Sequence, residues 1–415
     1  MLTILANCPW VDKTTIVKPT HWGRFFLWVK YMKVTVNGHE YILLTKCPLL
    51  ETTERYEFKT DVHQSFDASS EERIPLLDVA RQSFNWSMMA FRNEVPEMFN
   101  DLYSWMRKDY LVPQPLESQL VGNLSDDFIE TDTSNLGINV GTLILIQAVG
   151  VLKVVEVTEI GRYEVIEDVP VHIGGYRLNE AVTASDAKII PLRKVIIAGN
   201  PTSQANGLMF KPTIALRVTD SVEYPMAVNP QQYKGDDIYF TPLLLDGDFL
   251  DINFEQHQSI VDGEIGQFWQ FTNWFNPLIN KNFRVIMKNR QEYIDYKKWF
   301  YRRRGRLNQF WLPSYQNNFN LVSRGSSSIT VKNDNFLSDR KNIAIKANGV
   351  WTAHSVTSSS ASGANIVMNI TPQPPVSIER VSYLGLYRLN SDTVEFYFKG
   401  ADIVEATVPI VELSP

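Results

Sequence analysis

The sequence predicts an α+β fold that is mainly β: a tandem duplication of a strand-rich unit with one principal helix, each followed by a small β barrel or sandwich module. Three observations predict it. Short alternations of Val, Ile and Thr, punctuated by Gly and Asn, recur along the chain, the pattern of half-buried strands joined by tight turns. Only two stretches carry aromatic residues at helical spacing. Blocks of both kinds recur in the same order about two hundred residues apart, and a self-similarity of that length sets the architecture before any single residue does.

The strongest pairing sets residues 51–118 beside residues 253–316. Asp61 falls with Asp262, Phe84 with Phe283, Met88 with Met287 and Pro113 with Pro313. Upstream, Gly38–Leu43 (GHEYIL) pairs with Gly235–Phe240 (GDDIYF); downstream, Leu143–Val151 (LILIQAVGV) pairs with Ile343–Val350 (IAIKANGV). Four blocks in one order, offset by 197 to 201 residues, outweigh the general likeness of any two strand-rich segments. Beyond them the ends are open. YRLN recurs at Tyr176 and Tyr387, whereas Ser185 with Ser391 gives a different offset.

Composition agrees with two units. A chain of 415 residues is long for one core, and halves of roughly 200 residues are the natural division. Hydrophobic residues make up 44% and charged residues 21%, a globular balance. No apolar run approaches the roughly 20 residues that cross a bilayer, so no membrane anchoring is expected. Asn7, Pro9 and Asp12 interrupt the N-terminal apolar stretch, so no signal peptide is expected either. Two cysteines, Cys8 and Cys47, are too few for a disulfide framework and fit a chain folded in reducing cytoplasm. A net charge of −6 excludes a general nucleic-acid binder, which concentrates positive charge against phosphate.

The divisions expected are 1–34, an arm; 35–119, a hairpin-plus-helix unit; 120–234, a β module; 235–318, the second hairpin-plus-helix unit; and 319–415, the second β module. The arm holds Trp10, Trp22, Phe25, Phe26, Trp28 and Tyr31 without a period of its own. Either it buries these aromatics on another subunit, or it adds a strand to its own domain. In the first unit, two extended runs flank a polar turn at Asp67–Ser70, the signature of a hairpin. Phe99, Leu102, Tyr103, Met106 and Tyr110 then follow helical spacing, with Pro113 and Pro115 as stops. The spacing predicts that this stripe is core. The second helix is predicted over about 290–303, with Tyr293, Tyr296, Trp299 and Phe300 on its apolar side and Gly305 ending it.

Chemistry is sparse. The six histidines lie outside any metal-ligand spacing, and no phosphate-binding glycine loop or nucleophile elbow occurs. Asp246, Asp248 and Asp251 could offer oxygen to calcium, but Leu250 stands where an EF-hand needs a ligand, so a turn is the expectation. Asp61 and Asp262 are read as turn caps rather than a catalytic pair. No catalytic residue, cofactor or metal is expected. The cluster Arg302, Arg303, Arg304 and Arg306 complements the dipole at a helix C-terminus; an acidic neighbour, or DNA passing through a lumen, is the alternative.

Two further runs point outward. WFYRRRGRLNQFWLPSYQ (299–316) and YRLNSDTVEFYF (387–398), with the VPIVEL terminus, resemble a group of tailed-bacteriophage tail proteins that carry R-R-G-R-x-x-x-F-W-x-P-S and R-L-x-S-D-T-V-E-F. ETTERYEFKTDV (51–62) and EERIPLLDVARQSF (71–84) are similar to another run of the same proteins. That run departs at Leu77, where the family has Arg, and at Val79-Ala80, where it has Pro. The likeness covers most of residues 40–415 and marks a virion protein rather than a reaction.

The resemblance implies a non-enzymatic structural component of the tail, a tip or baseplate hub or a distal-tail ring, made in the host cytoplasm and joining the tube to tip or fibre proteins. A duplicated subunit suits a ring: three copies present six similar surfaces, while a hexamer or larger ring is the alternative. Interface candidates are Trp10, Trp22, Phe25, Trp28, the four arginines, and the corner Phe310, Trp311 and Tyr315. A second class of function is receptor or carbohydrate binding through Trp351 and the Ser-rich segment Ser355–Ser362, read as a loop at an exposed edge. A tail-associated hydrolase stands third.

Overall fold

The computed structural model describes residues 32–44, 48–49, 52–65, 70–91, 94–166, 169–220, 222–227, 230–241, 252–256, 258–264, 266–272, 278–334, 338–400 and 403–413. The arm aromatics Trp10, Trp22, Phe25 and Trp28, both cysteines, and Asp246, Asp248 and Asp251 lie outside the described residues. Within them the fold is mainly β, with two α-helices.

In the first half, β1 (Met32–Val36) and β2 (His39–Leu43) form a hairpin whose turn residues, Asn37 and Gly38, both have positive φ, as a two-residue turn requires. Then come β3 (Thr53–Glu57), β4 (Thr60–Gln64), β5 (Glu71–Pro75), β6 (Arg81–Ser87), β7 (Ala90–Phe91) and helix α1 (Val95–Tyr103). β4 pairs with β5, the hairpin expected around Asp67–Ser70, and β3 pairs with β6. Strand β8 (Asp109–Pro113) returns parallel to β2.

The module after it holds β9 (Gln119–Leu124), β10 (Phe128–Glu130), β11 (Leu143–Ala148), β12 (Val151–Ile166), β13 (Val169–Leu178) and β14 (Ala184–Ile197). β14 is the spine, pairing in turn with β9, β11 and β8. A hairpin of β15 (Thr202–Asn206) and β16 (Met209–Val218) follows. β16 pairs with both β14 and β6.

The second half begins with a short hairpin, β17 (Gln232–Tyr233) and β18 (Asp236–Ile238), turning on Lys234 and Gly235, again at positive φ. β19 (Ile252–Glu255), β20 (Gln258–Val261), β21 (Trp269–Thr272) and β22 (Leu278–Met287) lead to helix α2 (Arg290–Arg303). β20 pairs with β21 and β19 with β22. β23 (Phe310–Pro313) returns parallel to β18. The second module holds β24 (Leu321–Arg324), β25 (Ser328–Lys332), β26 (Asn342–Ala347), β27 (Val350–Ser362), β28 (Asn365–Thr371) and β29 (Arg380–Leu389). Here β29 is the spine for β26 and β23. A hairpin of β30 (Thr393–Phe398) and β31 (Val404–Glu412) closes the chain, and β31 pairs with both β29 and β22.

Helix α2 forms where the spacing places it because both ends are built. Asn289 accepts a hydrogen bond from the Glu292 amide at 2.9 Å, and the Glu292 carboxylate accepts one from the Lys288 amide at 2.8 Å, a reciprocal cap on the first turn. Arg304 turns left-handed with Gly305 after it. Tyr293, Tyr296, Trp299 and Phe300 are all buried, packed with Phe283, Phe310 and Phe396.

Helix α1 departs from expectation. It ends at Tyr103, a 3-10 turn covers Trp105–Arg107, and Tyr110 belongs to β8. Leu102 packs against the core, as expected, with Met98 beside it, and Tyr110 is buried from β8, while Phe99, Tyr103 and Met106 are exposed. The stripe is therefore core only in part: the nine-residue helix stops before Met106 and Tyr110, and its covered side runs through Met98 and Leu102. Ser355–Ser362 is likewise not a loop but the outer end of β27, laddered to β28. Trp351 is buried, edge-on to Tyr315, rather than at an exposed edge.

Candidate functional site

The two halves meet where β3 lies between β6 of its own half and β30 of the other, with Thr53–Glu57 laddered against Thr393–Tyr397. Alternation along β3 points Glu54 and Tyr56 to the buried side. Glu54 would be a costly residue there if unpaired. It is surrounded. The Tyr56 hydroxyl donates to its Oε1 at 2.6 Å, as does the Gln82 amide at 2.6 Å, and the Tyr293 hydroxyl of helix α2 donates to Oε2.

Lys297, one helical turn after Tyr293, sets its ammonium 2.5 Å from Glu117 Oε1, 3.2 Å from the Tyr293 hydroxyl and 3.5 Å from Glu54 Oε1. It also lies 4.5–4.9 Å from the centres of the Tyr56, Tyr224 and Tyr293 rings, whose faces attract a cation. Arg193 of β14 closes the set, donating to Glu117 Oε2 at 3.1 Å and to Gln82 Oε1 at 3.2 Å. Two carboxylates, one ammonium and one guanidinium thus balance in charge, and each of their side chains is 1% exposed.

The electrostatics follow from that enclosure. Burial alone would raise the Glu117 pKa, but Lys297 and Arg193 outweigh it and hold the carboxyl below its ordinary value. Burial lowers the Arg193 guanidinium, and Glu117 reverses this, leaving it raised. The hydroxyls of Tyr56, Tyr224 and Tyr293 are pushed well up, by burial first and by the carboxylates second. Every charge is spent on another within the set. The arrangement joins residues of both halves of the chain through buried ion pairs and hydrogen bonds.

A second contact lies beside it, between the β4–β5 hairpin and the far half. Arg388 grips Glu71 with two bonds of 2.7 and 2.9 Å, the bidentate geometry of strong carboxylate recognition. Arg73 donates to the Leu307 carbonyl at 2.7 Å and to Gln309 at 2.8 Å. Asp392 accepts from the backbone amides of Thr60 and Arg306 at 2.8 and 2.9 Å.

Of the interface candidates named from sequence, those among the described residues make contacts within the chain. Arg302 and Arg303 both bind Asp237, and burial pushes the Arg303 guanidinium down to about 10. Arg306 binds Asp392, while Arg304 is 3.7 Å from the exposed Asp78. Phe310 and Trp311 are buried in β23. Tyr315 donates to the carbonyls of Tyr239 and Thr241 at 3.0 and 2.9 Å. Asp262 accepts from the Glu264 amide at 2.9 Å, a turn cap as read from sequence, whereas Asp61 sits in β4 beside His63.

Glu54, Glu117, Arg193 and Lys297 were not singled out from sequence. One signal was present: Lys297 shares the face of Tyr293 and Phe300 on a helix otherwise aromatic on that side. Among the described residues, no His, Cys, Asp or Glu group of three is placed to hold a metal ion, and no helix is long and apolar enough to cross a membrane. No protein-family model matches the chain, and no curated protein matches it.

Proposed function

We propose that this chain is a duplicated, non-enzymatic structural component of a bacteriophage tail, a hub or distal-tail ring joining the tube to tip or fibre proteins. The observation that carries the duplication is the repeated order of ladders. Strands β1 and β2 answer to β17 and β18, β3–β6 to β19–β22, α1 to α2, β8 to β23, and β11–β16 to β26–β31. Pro113 and Pro313 hold one position: each ends the strand after its helix and faces a leucine of the spine, Leu192 or Leu384. The hairpins Ala148↔Val151 and Ala347↔Val350 each turn on two residues, the second a glycine at positive φ.

The assignment to a tail rests on the likeness of residues 299–316 and 387–398 to tail proteins. The junction adds physical support: a subunit whose halves are locked by a closed charge network behaves as one rigid wall segment with two similar faces, which is what a ring needs. Binding of sugars loses its aromatic platform, since Trp351 is buried.

Light scattering of the purified chain, with a copy count in tail particles, tests this reading. Three copies per ring support a pseudo-sixfold adaptor, and six or more an ordinary wall ring. A chain that stays monomeric at all concentrations and is absent from tails overturns it.

A further inference from the structure

Among the described residues, the internal junction is matched by a pair of edges with no further strand on them. Inside the chain, β3 of the first half ladders onto β30 of the second, and Tyr56 and Phe58 pack on Phe300 and Tyr301 of helix α2. The counterpart of β3 is β19, and the counterpart of β30 is β15. Among the described residues β19 pairs only with β22, and β15 only with β16; both are exposed along their length. An unprotected edge of this kind is a template for another strand.

The side chains of the two edges differ: Ile252 and Phe254 alternate with Asn253 and Glu255 along β19, while β15 is polar apart from Ala205, and its apolar surface is supplied by the neighbouring helix. Stepping through the ladders from Pro113 and Pro313 sets Lys281, two residues before the Phe283 paired with it in the sequence, in the place of Phe84, and so sets Phe254 in the place of Tyr56 and Ile252 in the place of Glu54. Phe254 is 64% exposed. The adjoining hairpin, counterpart of β4–β5, exposes Ile260, Val261, Phe268, Trp269 and Phe271, where β4–β5 is anchored by Glu71 and Arg73. On the other edge, helix α1 presents Phe99 and Tyr103 to solvent, Tyr103 at 84%, and the 3-10 turn after it presents Met106. Phe99 lies 6.2 Å from the ring of Phe210, which ladders with Ala205 of β15. The helix face thus borders the open edge, as α2 borders β30. Apolar patches of this extent mark interaction surfaces.

We infer that β19 and the β20–β21 hairpin of one copy dock on β15 and the exposed face of α1 of the next copy, repeating between subunits the junction already made within one. The inference rests on the ring reading above. It assigns the contact: heterologous and head-to-tail, formed by strand addition. The register of Glu54 opposite Phe396, carried across, sets Ile252 opposite Ser203 of the neighbouring copy.

Two measurements test it. Phe254→Lys and Tyr103→Lys, made separately, change exposed positions and each spoil one end. Each variant alone falls from the wild-type assembly mass to that of a single chain, and an equimolar mixture forms 1:1 dimers only, since one good end remains on each. The second measurement replaces Cys8 and Cys47 with serine and introduces Ser203→Cys with Ile252→Cys. A short bismaleimide then links chains into covalent dimers and higher species. If both lysine variants assemble like the wild type, or the cysteines fail to link in a chain that still oligomerises, this contact is wrong while the ring reading stands. A wild-type chain that never assembles defeats both.

Discussion

Replacing Lys297 with methionine probes the closed network most directly. The two side chains are similar in length, so the change removes charge and little volume. Lys297 Nζ is the shared partner of Glu117 at 2.5 Å and Glu54 at 3.5 Å; without it, two carboxylates at 1% exposure share a single guanidinium. Removing one member of a buried ion pair typically costs about 3–5 kcal/mol. For units of about 200 residues, each kcal/mol moves the melting temperature by about 2–4 °C, so a fall of about 6–20 °C is expected.

The pH dependence gives a second, independent sign. In the wild type the Glu117 pKa is depressed, so its contribution is present above the ordinary carboxylate value of about 4.3 and lost as pH falls through the lower folded value. In Lys297→Met, burial outweighs Arg193 and the folded pKa rises. The variant therefore gains stability on acidification from pH 7, and its deficit narrows. Adding Glu117→Gln recovers part of the loss, because the unpaired charge is gone. Urea unfolding at several pH values measures all three. A variant within about 1 kcal/mol of wild type, or one whose deficit is independent of pH, refutes the view that these charges are mutually required.

Three other changes have definite expectations. Phe283→Ala empties a fully buried position among Tyr239, Trp299 and Phe310 and costs about 3–5 kcal/mol by urea denaturation. Asn289→Ala removes the cap of helix α2 and costs about 1 kcal/mol, read in the same way. Gly305→Ala puts a Cβ 2.9 Å from the Asp392 Cα at φ +63°; calorimetry should show a loss of more than about 1 kcal/mol, and faster amide exchange at Thr60 and Arg306, whose amides Asp392 holds.

Much of the fold was legible because its signals are local. Asn289 with Glu292, the aromatic spacing from Tyr293 and the stop at Gly305 define α2 within seventeen residues. The turns at Asn37-Gly38 and Asn348-Gly349 declare their hairpins in the same way. Helix α1 misled because the same spacing, Phe99 to Tyr110, carries no mark of how far the helix runs or which side is covered. The network was illegible for a different reason. Glu54, Glu117, Arg193 and Lys297 belong to four separate elements in both halves, and each reads singly as a surface charge. Only the ladders of β3 to β6 and β30, and of β14 to β8, bring them together.

The chemistry of the inner junction differs from that of β19 and α1 at the open edges, a difference that suits the contact proposed there. Inside one chain, β3 meets β30 once, during folding, and the main hazard is a slip of register, which would turn every side chain to the wrong face. A buried charge set adds little net stability but penalises any arrangement that leaves a member unpaired. A slip of β3 along β30 would take Glu54 from Tyr56, Gln82 and Tyr293, the partners that hold it. In the proposed contact between copies, association must also offset lost translational and rotational freedom, and bringing solvated charges out of water would add to that cost. Apolar side chains instead gain about 25 cal/mol for each Å² removed from water. Ile252 at the Glu54 position and Phe254 at the Tyr56 position suit a contact made after folding, between molecules that begin apart.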